Sequence, residues 1–410
     1  MSQSPDDGGQ PGWQRTFAVL WLSQAIAMIG FAAVLPFMPL YVRVLGVTDP
    51  SQAAVWAGAI ASIAALTQAV MAPVWGTWAD RYGRKPMVSR SILSGGVVVA
   101  AMAAIDDVRQ LLVARAVQGI FAGTLSATRV LVAAIVPPSK LGQSMGLMAT
   151  SAFVGASFGP VLGGFVADTY GFRASFLVTG GLLFLSGVSV VFFVHERFER
   201  PPTRERPTWR ANLAVMRDFP RVRAVVISIF VAQTGQTAIA PVLPLFIVQL
   251  IDSETAAASI AGTILGAAAV SGAAAAAIGG RLGDRVGHRR VLAFAALASG
   301  ILYLPQALVQ SPWELLVLRA ITGAFAGAIM PVSMAMIGLL APPDRRGWVF
   351  GLTASAMALG NATGPLIGSA AAAVFGFRAS FLVTACALSA AGAWIAWSLR
   401  GSSSSEKTTA

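Results

Sequence analysis

Three arginines, Arg115, Arg129 and Arg319, stand in stretches that are otherwise apolar. Inside a membrane span, a charge costs at least about 2.5–3.5 kcal/mol, so it turns toward a cavity or a partner. Arg115, Gln118, Ala122, Ser126 and Arg129 recur at the spacing of one helix face. On an unbroken helix the two arginines lie about 21 Å apart and within about 40° of azimuth, a pattern suited to gripping an organic anion. Arg129 is close enough to Pro137 that it equally suits snorkelling toward the membrane edge. Arg319 has Glu314 near enough in sequence to pair with it. None of the 17 acidic residues falls in the middle of an apolar stretch. Asp80 and Asp284 sit at one edge, Asp168 and Glu314 at the other, and His195 and His288 lie in polar segments. A strongly cationic ligand would want a buried negative charge, so the pattern favours a neutral or anionic amphiphile. Gln24, Gln68, Gln233, Gln236 and Asn361 offer uncharged hydrogen bonds in a Met- and Phe-lined pocket. Each equally suits holding one helix to the next.

The elements that must carry these residues follow from composition. The chain has 410 residues, 56% hydrophobic and only 11% charged, against about 25% charged in soluble domains. Twelve runs are long enough to cross a bilayer as helices: 17–42, 53–78, 87–105, 110–136, 143–168, 174–194, 224–250, 256–280, 290–310, 313–341, 347–374 and 377–399. Their length excludes barrel strands, which need about 9–11 residues. The expected fold is all-α and integral to the membrane, with twelve transmembrane helices in two pseudo-symmetric six-helix bundles. We place a cytoplasmic N-terminal tail at 1–15, the first bundle at 16–194, a cytoplasmic linker at 195–223, the second bundle at 224–400 and a disordered tail at 401–410. The linker holds eight Arg and four Pro, and the spacing predicts an amphipathic helix near Trp209–Phe219.

A net charge of +12 in a soluble protein would suggest nucleic acid. Here its distribution argues for topology. With both termini in the cytoplasm, only Arg43, Arg109, Arg173 and Arg378 fall in outer loops, and Arg115, Arg129 and Arg319 within spans. The other basic residues face inward, the positive-inside pattern of an inner-membrane protein. The first span is too long for a signal-peptide core and is expected to be retained. Cys386 is the only cysteine, which excludes an internal disulfide and a cysteine metal cluster. No cofactor is implied, and the expected state is a monomer.

The segment Gly171–Thr179, GFRASFLVT, recurs unchanged at Gly376–Thr384. Pro36 and Pro39 match Pro241 and Pro244; Arg115 and Gly119 match Arg319 and Gly323; Pro137 and Pro138 match Pro342 and Pro343; Gly159-Pro160 matches Gly364-Pro365. The chain is therefore two homologous halves in the same orientation, a plan that places a solute site between them near the midplane.

Spans 2 and 3 are joined by Gly76-Thr77-Trp78-Ala79-Asp80-Arg81-Tyr82-Gly83-Arg84-Lys85, and spans 8 and 9 by Gly280-Arg281-Leu282-Gly283-Asp284-Arg285-Val286-Gly287-His288-Arg289. Gly83 and Gly287 suit a tight turn with positive φ. An aspartate beside several cations invites charge-assisted hydrogen bonds at the membrane edge. Gly76, Asp80, Arg81, Gly83, Arg84, Lys85, Asp284, Arg285 and Gly287 thus form a candidate cytoplasmic latch. Gly155, Gly159, Pro160 and Gly163 in span 5, and Gly360, Gly364, Pro365 and Gly368 in span 11, make small-residue strips with a kink point. Such strips suit rocking at a domain interface, or ordinary close packing.

The doubled loop pattern resembles the signature of the major facilitator superfamily. With the span-5 glycines and Leu35-Pro36-Phe37-Met38-Pro39-Leu40-Tyr41, the chain resembles the twelve-helix drug:proton antiporters and, among them, the MdtG-like multidrug efflux branch. The resemblance runs from about Trp13 to Arg400. It implies alternating access, a loop that steadies the outward-facing state, and a part for Arg115 in coupling proton and substrate. Many such antiporters carry the proton on a buried carboxylate, and this chain has no obvious one.

Two functions are therefore expected to compete: proton-driven export of hydrophobic compounds, and transport of a specific organic anion or lipid-like metabolite bound by Arg115 and Arg129. An enzyme or ATP-driven pump is disfavoured. The sequence has no G-x-x-x-x-G-K-[ST] loop, no metal-ligand cluster and no Ser–His arrangement within a span.

Overall fold

The computed structural model describes residues 12–196, 198, 217–342 and 345–398, with Asp80 described by its backbone alone. Most of the expected helix near Trp209–Phe219, the tail at 401–410 and most of the tail at 1–15 lie outside the described residues.

The first half runs through α1 (Trp13–Ala33), α2 (Met38–Val44), α3 (Pro50–Tyr82), α4 (Arg84–Ala101), α5 (Val108–Phe121), α6 (Thr124–Ile135), α7 (Leu141–Tyr170) and α8 (Phe172–Phe193). The second runs through α9 (Pro220–Ala238), α10 (Leu243–Ile251), α11 (Ala257–Val286), α12 (His288–Gln306), α13 (Pro312–Leu340), α14 (Arg346–Phe375) and α15 (Arg378–Ser398). Eleven spans among the described residues are long and apolar enough to cross a membrane. The stretch expected at 290–310 is α12, which is helical but not among the eleven. Arg289 and Arg290 in its first turn dilute its hydropathy.

Three expected spans are each two helices. Span 1 breaks at Val34–Phe37 and span 7 at Ile239–Val242. Pro36 and Pro241 lack the N–H that would continue the helix, and each disfavours a helical residue before it. Pro39 and Pro244 fall in the first turn of the next helix, where proline is tolerated. Span 4 breaks without proline. Ala122 turns extended at ψ 170° and Gly123 follows at φ 123°. The expected common face of Arg115 and Arg129 required an unbroken helix, so the azimuth count does not carry from α5 to α6. By contrast, Pro160 and Pro365 lie inside uninterrupted 30-residue helices.

Contacts group the chain into two compact units. One contains Met1–Thr48, Ile63–Thr203 and Ser253–Gly266; the other contains Asp49–Ser62, Arg204–Asp252 and Ala267–Ala410. Relative to bundles at 16–194 and 224–400, the first part of α3 and the first part of α11 are exchanged. In the second unit, a Cβ on Gly58 would strike the Ser369 side chain and the Pro365 carbonyl. In the first unit, one on Gly262 would strike the Pro160 carbonyl, and one on Gly164 the carbonyl of Ala258. Bare backbone lets these helix starts settle onto α14 and α7.

Within the first unit α1 lies along α7 and α4 along α8; within the second, α9 lies along α14 and α12 along α15. The glycine strips explain the first pairing in each. Cβ atoms on Gly155, Gly159 and Gly163 would meet Met28, Ile29 and Ala33 of α1, and those on Gly360, Gly364 and Gly368 would meet Gln233, Thr234 and Ala238 of α9. These glycines therefore seat a helix on its neighbour in the same half, the close packing that was one of the two expected roles.

The repeated nonapeptide has the same function twice. Ser175 Oγ donates to the Gly163 carbonyl at 3.0 Å and Ser380 Oγ to that of Gly368 at 2.7 Å. Phe176 meets Tyr41 edge-on at 5.0 Å, and Phe381 meets Phe246 edge-on at 5.0 Å. Arg173 pairs with Asp106, whereas Arg378 donates to the carbonyls of Ala307 and Val309.

Candidate functional site

In the first unit the polar residues of spans 1 and 4 gather around the break between α5 and α6. Arg115 Nη1 donates to Gln118 Oε1 at 2.6 Å within α5, as their i,i+3 spacing allows. Gln118 is buried. On α6, Thr128 Oγ1 donates to Gln24 Oε1 of α1 at 2.8 Å, and Thr124 shares a 2.6 Å hydrogen bond with Ser91 of α4. Gln24 is 1% exposed, and its Nε2 is buried with no partner. A buried amide N–H left unpaired is worth about 1–3 kcal/mol to any acceptor that reaches it. Arg129 is exposed. Gln68 is exposed too, and lines a cavity of about 290 Å³ between α3, α4 and the α5–α6 break.

In the second unit Gln233 Nε2 of α9 donates to Asn361 Oδ1 of α14 at 2.8 Å. Gln236 is half-buried. Arg319 is 7% exposed, and its Nη1 donates to the Tyr303 hydroxyl at 2.6 Å. The expected Glu314 partner is not used. Five residues carry Glu314 about 140° around the helix from Arg319. Glu314 instead turns back to accept the Gln310 N–H at 3.0 Å, beside the Ser311 cap. Buried Gln306 donates through Nε2 to Thr322 Oγ1 at 2.8 Å, and its Oε1 has no partner.

The short loops take the positive φ expected of Gly83 and Gly287, 99° at each. Among the described side chains their charges do not form one cluster. Glu196, beyond α8, accepts from the backbone N–H groups of Arg84 and Lys85 at 2.7–3.1 Å. It caps the start of α4, where free N–H groups and the helix dipole favour an anion. Lys85 Nζ donates to the Val191 carbonyl at 2.8 Å, and Arg289 Nη2 donates to the Ala396 carbonyl at 2.7 Å. Each cation ties its loop to the last helix of its half. Asp284 pairs with His288 at 3.4 Å rather than with Arg285. The side chain of Asp80 lies outside the described residues. Gly76 lines the 290 Å³ cavity, as does Arg84, while Arg81 lies 5.3 Å from the Tyr82 ring centroid.

A sequence profile of the Major Facilitator Superfamily matches residues 20–226 and again residues 225–410. The chain belongs to the Major Facilitator Superfamily. This facilitator is 35% identical over 373 residues to the multidrug resistance protein MdtG of Salmonella arizonae, covering 91% of this chain and 92% of that one. It is 35% identical over 382 residues to MdtG of Dickeya zeae, covering 93% of each. Its fold is similar to a bacterial homologue of the human lysosomal transporter Spinster in an inward-facing, occupied conformation. There the TM-score is 0.77 at 15% identity, over 95% of this chain and 97% of that one. The facilitator is thus a multi-span membrane transporter and not an enzyme.

Three side chains of this facilitator escaped the sequence reading. Glu196 looked like one charge in a basic linker. Tyr303 looked like an apolar span residue. Arg90 falls among the inward-facing cations by charge asymmetry, yet it sits in the second turn of α4 over the Trp75 indole. Its separation from Arg84 and Lys85 by Pro86–Ser89 is the signal that was available.

Proposed function

We propose that the chain is a secondary active transporter that exports hydrophobic or amphiphilic drug-like compounds in exchange for protons. The observation that carries this reading is its identity with the multidrug resistance proteins along nine-tenths of its length. It would work by alternating access between bundles at 16–194 and 224–400, as a monomer in the inner membrane, with both termini in the cytoplasm. The bilayer is its solvent, and the proton gradient its energy source without any cofactor. Arg115 and Gln118, with Gln24, Gln68, Gln233, Gln236, Arg319 and Asn361, supply the polar groups of the path; Arg129 marks its cytoplasmic end. The latch residues from Gly76 to Lys85, with Asp284, Arg285 and Gly287, steady one of the two states. Cells carrying the gene should accumulate less of at least one hydrophobic dye than cells without it, and a protonophore should abolish the difference. Equal accumulation across a broad dye panel would refute the proposal.

One observation favours a second reading, transport of a specific organic anion: the ionisable groups placed within spans are arginines. In that case, Arg115→Ala and Arg129→Ala should raise the apparent KM for the anion, while unchanged kinetics in both would remove the reading.

A further inference from the structure

The cavity of about 290 Å³ in the first unit is charged in an uneven way. Its lining among the described residues includes two guanidinium groups, Arg84 and Arg90, and no acidic side chain. Arg90 Nε and Nη1 are buried and make no hydrogen bond. The guanidinium lies over the Trp75 ring, its Cζ 3.5 Å from the indole centroid, an attraction that leaves the charge itself unneutralised. Trp75 is fixed in turn, because its Nε1 donates at 2.6 Å to the carbonyl of Ile120 in the last turn of α5. Across the cavity stands the first turn of α6. Gly123 offers no side-chain cap there, and Gly123 and Ser126 both line the space. A helix start with free N–H groups adds to the positive field. The remaining wall is mostly alkyl, with Gln68 as the one uncharged amide.

A half-buried guanidinium with two buried nitrogens left unbonded calls for an anion, and apolar walls beside a flat ring call for an apolar body. A hydrated inorganic ion meets only the first requirement. We propose that this cavity is a binding site for a small aromatic carboxylate, with its acid group on Arg90 and its ring against Trp75 and the alkyl wall. The site is built by α3, α4 and the broken span 4 of one half. It concerns equilibrium binding and stands whether or not the bound compound is exported.

Binding to the purified full chain in phosphatidylcholine nanodiscs tests it, with 1-naphthoate as probe and the neutral isostere 1-naphthalenemethanol as control. The wild type should bind the carboxylate about tenfold or more tighter than the alcohol. Arg90→Gln should bring the two to parity, Arg90→Lys should keep part of the preference, and Arg109→Gln, at an exposed residue outside the cavity, should leave it unchanged. Equal affinity of wild type for the two compounds overturns the proposal, and so does a preserved preference in a monodisperse Arg90→Gln. If Arg90→Gln does not fold, the wild-type pair and Arg90→Lys decide. Binding that appears only when phosphatidylglycerol is added would assign the cavity to a lipid headgroup instead. Failed dye export with intact carboxylate preference refutes only the export reading; the reverse result refutes only this one.

Discussion

Glu196 shows how one carboxylate can organise a loop. The start of α4 has no side-chain cap of its own, since Gly83 stands at its N-cap. Glu196 replaces that cap from beyond α8 with bonds to two successive N–H groups. Removing a cap of this kind costs about 1 kcal/mol. Glu196→Ala should therefore lower the midpoint of thermal unfolding in detergent, and Glu196→Gln, which keeps an accepting carbonyl, should lower it less. Equal loss in both variants would mean that charge, not acceptance, is what matters. A single letter within eight arginines gives no hint of this task, because capping from a distance depends on where the chain returns. The Arg115–Gln118 bond was foreseeable, since both partners share one helix turn. The partners of Arg319 were not. Spacing offered Glu314, but a helix start competes for a carboxylate, and Tyr303 comes from another helix.

Among the helices, glycine decides which neighbours can touch. The strips on α7 and α14 place backbone against backbone, so an added methyl has nowhere to go. Overpacking of this kind costs about 1–3 kcal/mol. Gly368→Ala should destabilise the protein by that order, because its Cβ overlaps the Ala238 carbonyl. Gly351→Ala, on the same helix with nothing within 4 Å, should be neutral or stabilise by up to about 1 kcal/mol. Thermal unfolding of the two variants side by side checks this, and equal midpoints would refute it. The strips were readable in sequence as small residues at four-residue spacing, but the partner helix was not. The proline breaks in spans 1 and 7 could likewise be anticipated. The break in span 4 could not, since a glycine within an apolar run is common in membrane helices and only its φ reveals the turn.

For the full chain, the duplication is what the sequence states most openly. A nonapeptide repeated at a fixed displacement returns as two sets of equivalent contacts, Ser175 with Gly163 and Ser380 with Gly368. The exchange of helix starts was hidden, because hydrophobicity marks where a span begins but not which neighbours receive it. That exchange bears on what happens when the polypeptide is severed. Thr203 and Arg204 mark the border between the two units along the linker. Each half closes its own last helix, through Lys85 on Val191 and Arg289 on Ala396. Neither fragment, 1–203 nor 204–410, would own a complete unit, since each keeps the stretch its counterpart lacks, 49–62 or 253–266. Produced together from separate genes, the pieces should seek one another out and co-purify on a tag carried by either; produced singly, each should be degraded. Two stable, indifferent fragments would show that the borrowed stretches are dispensable.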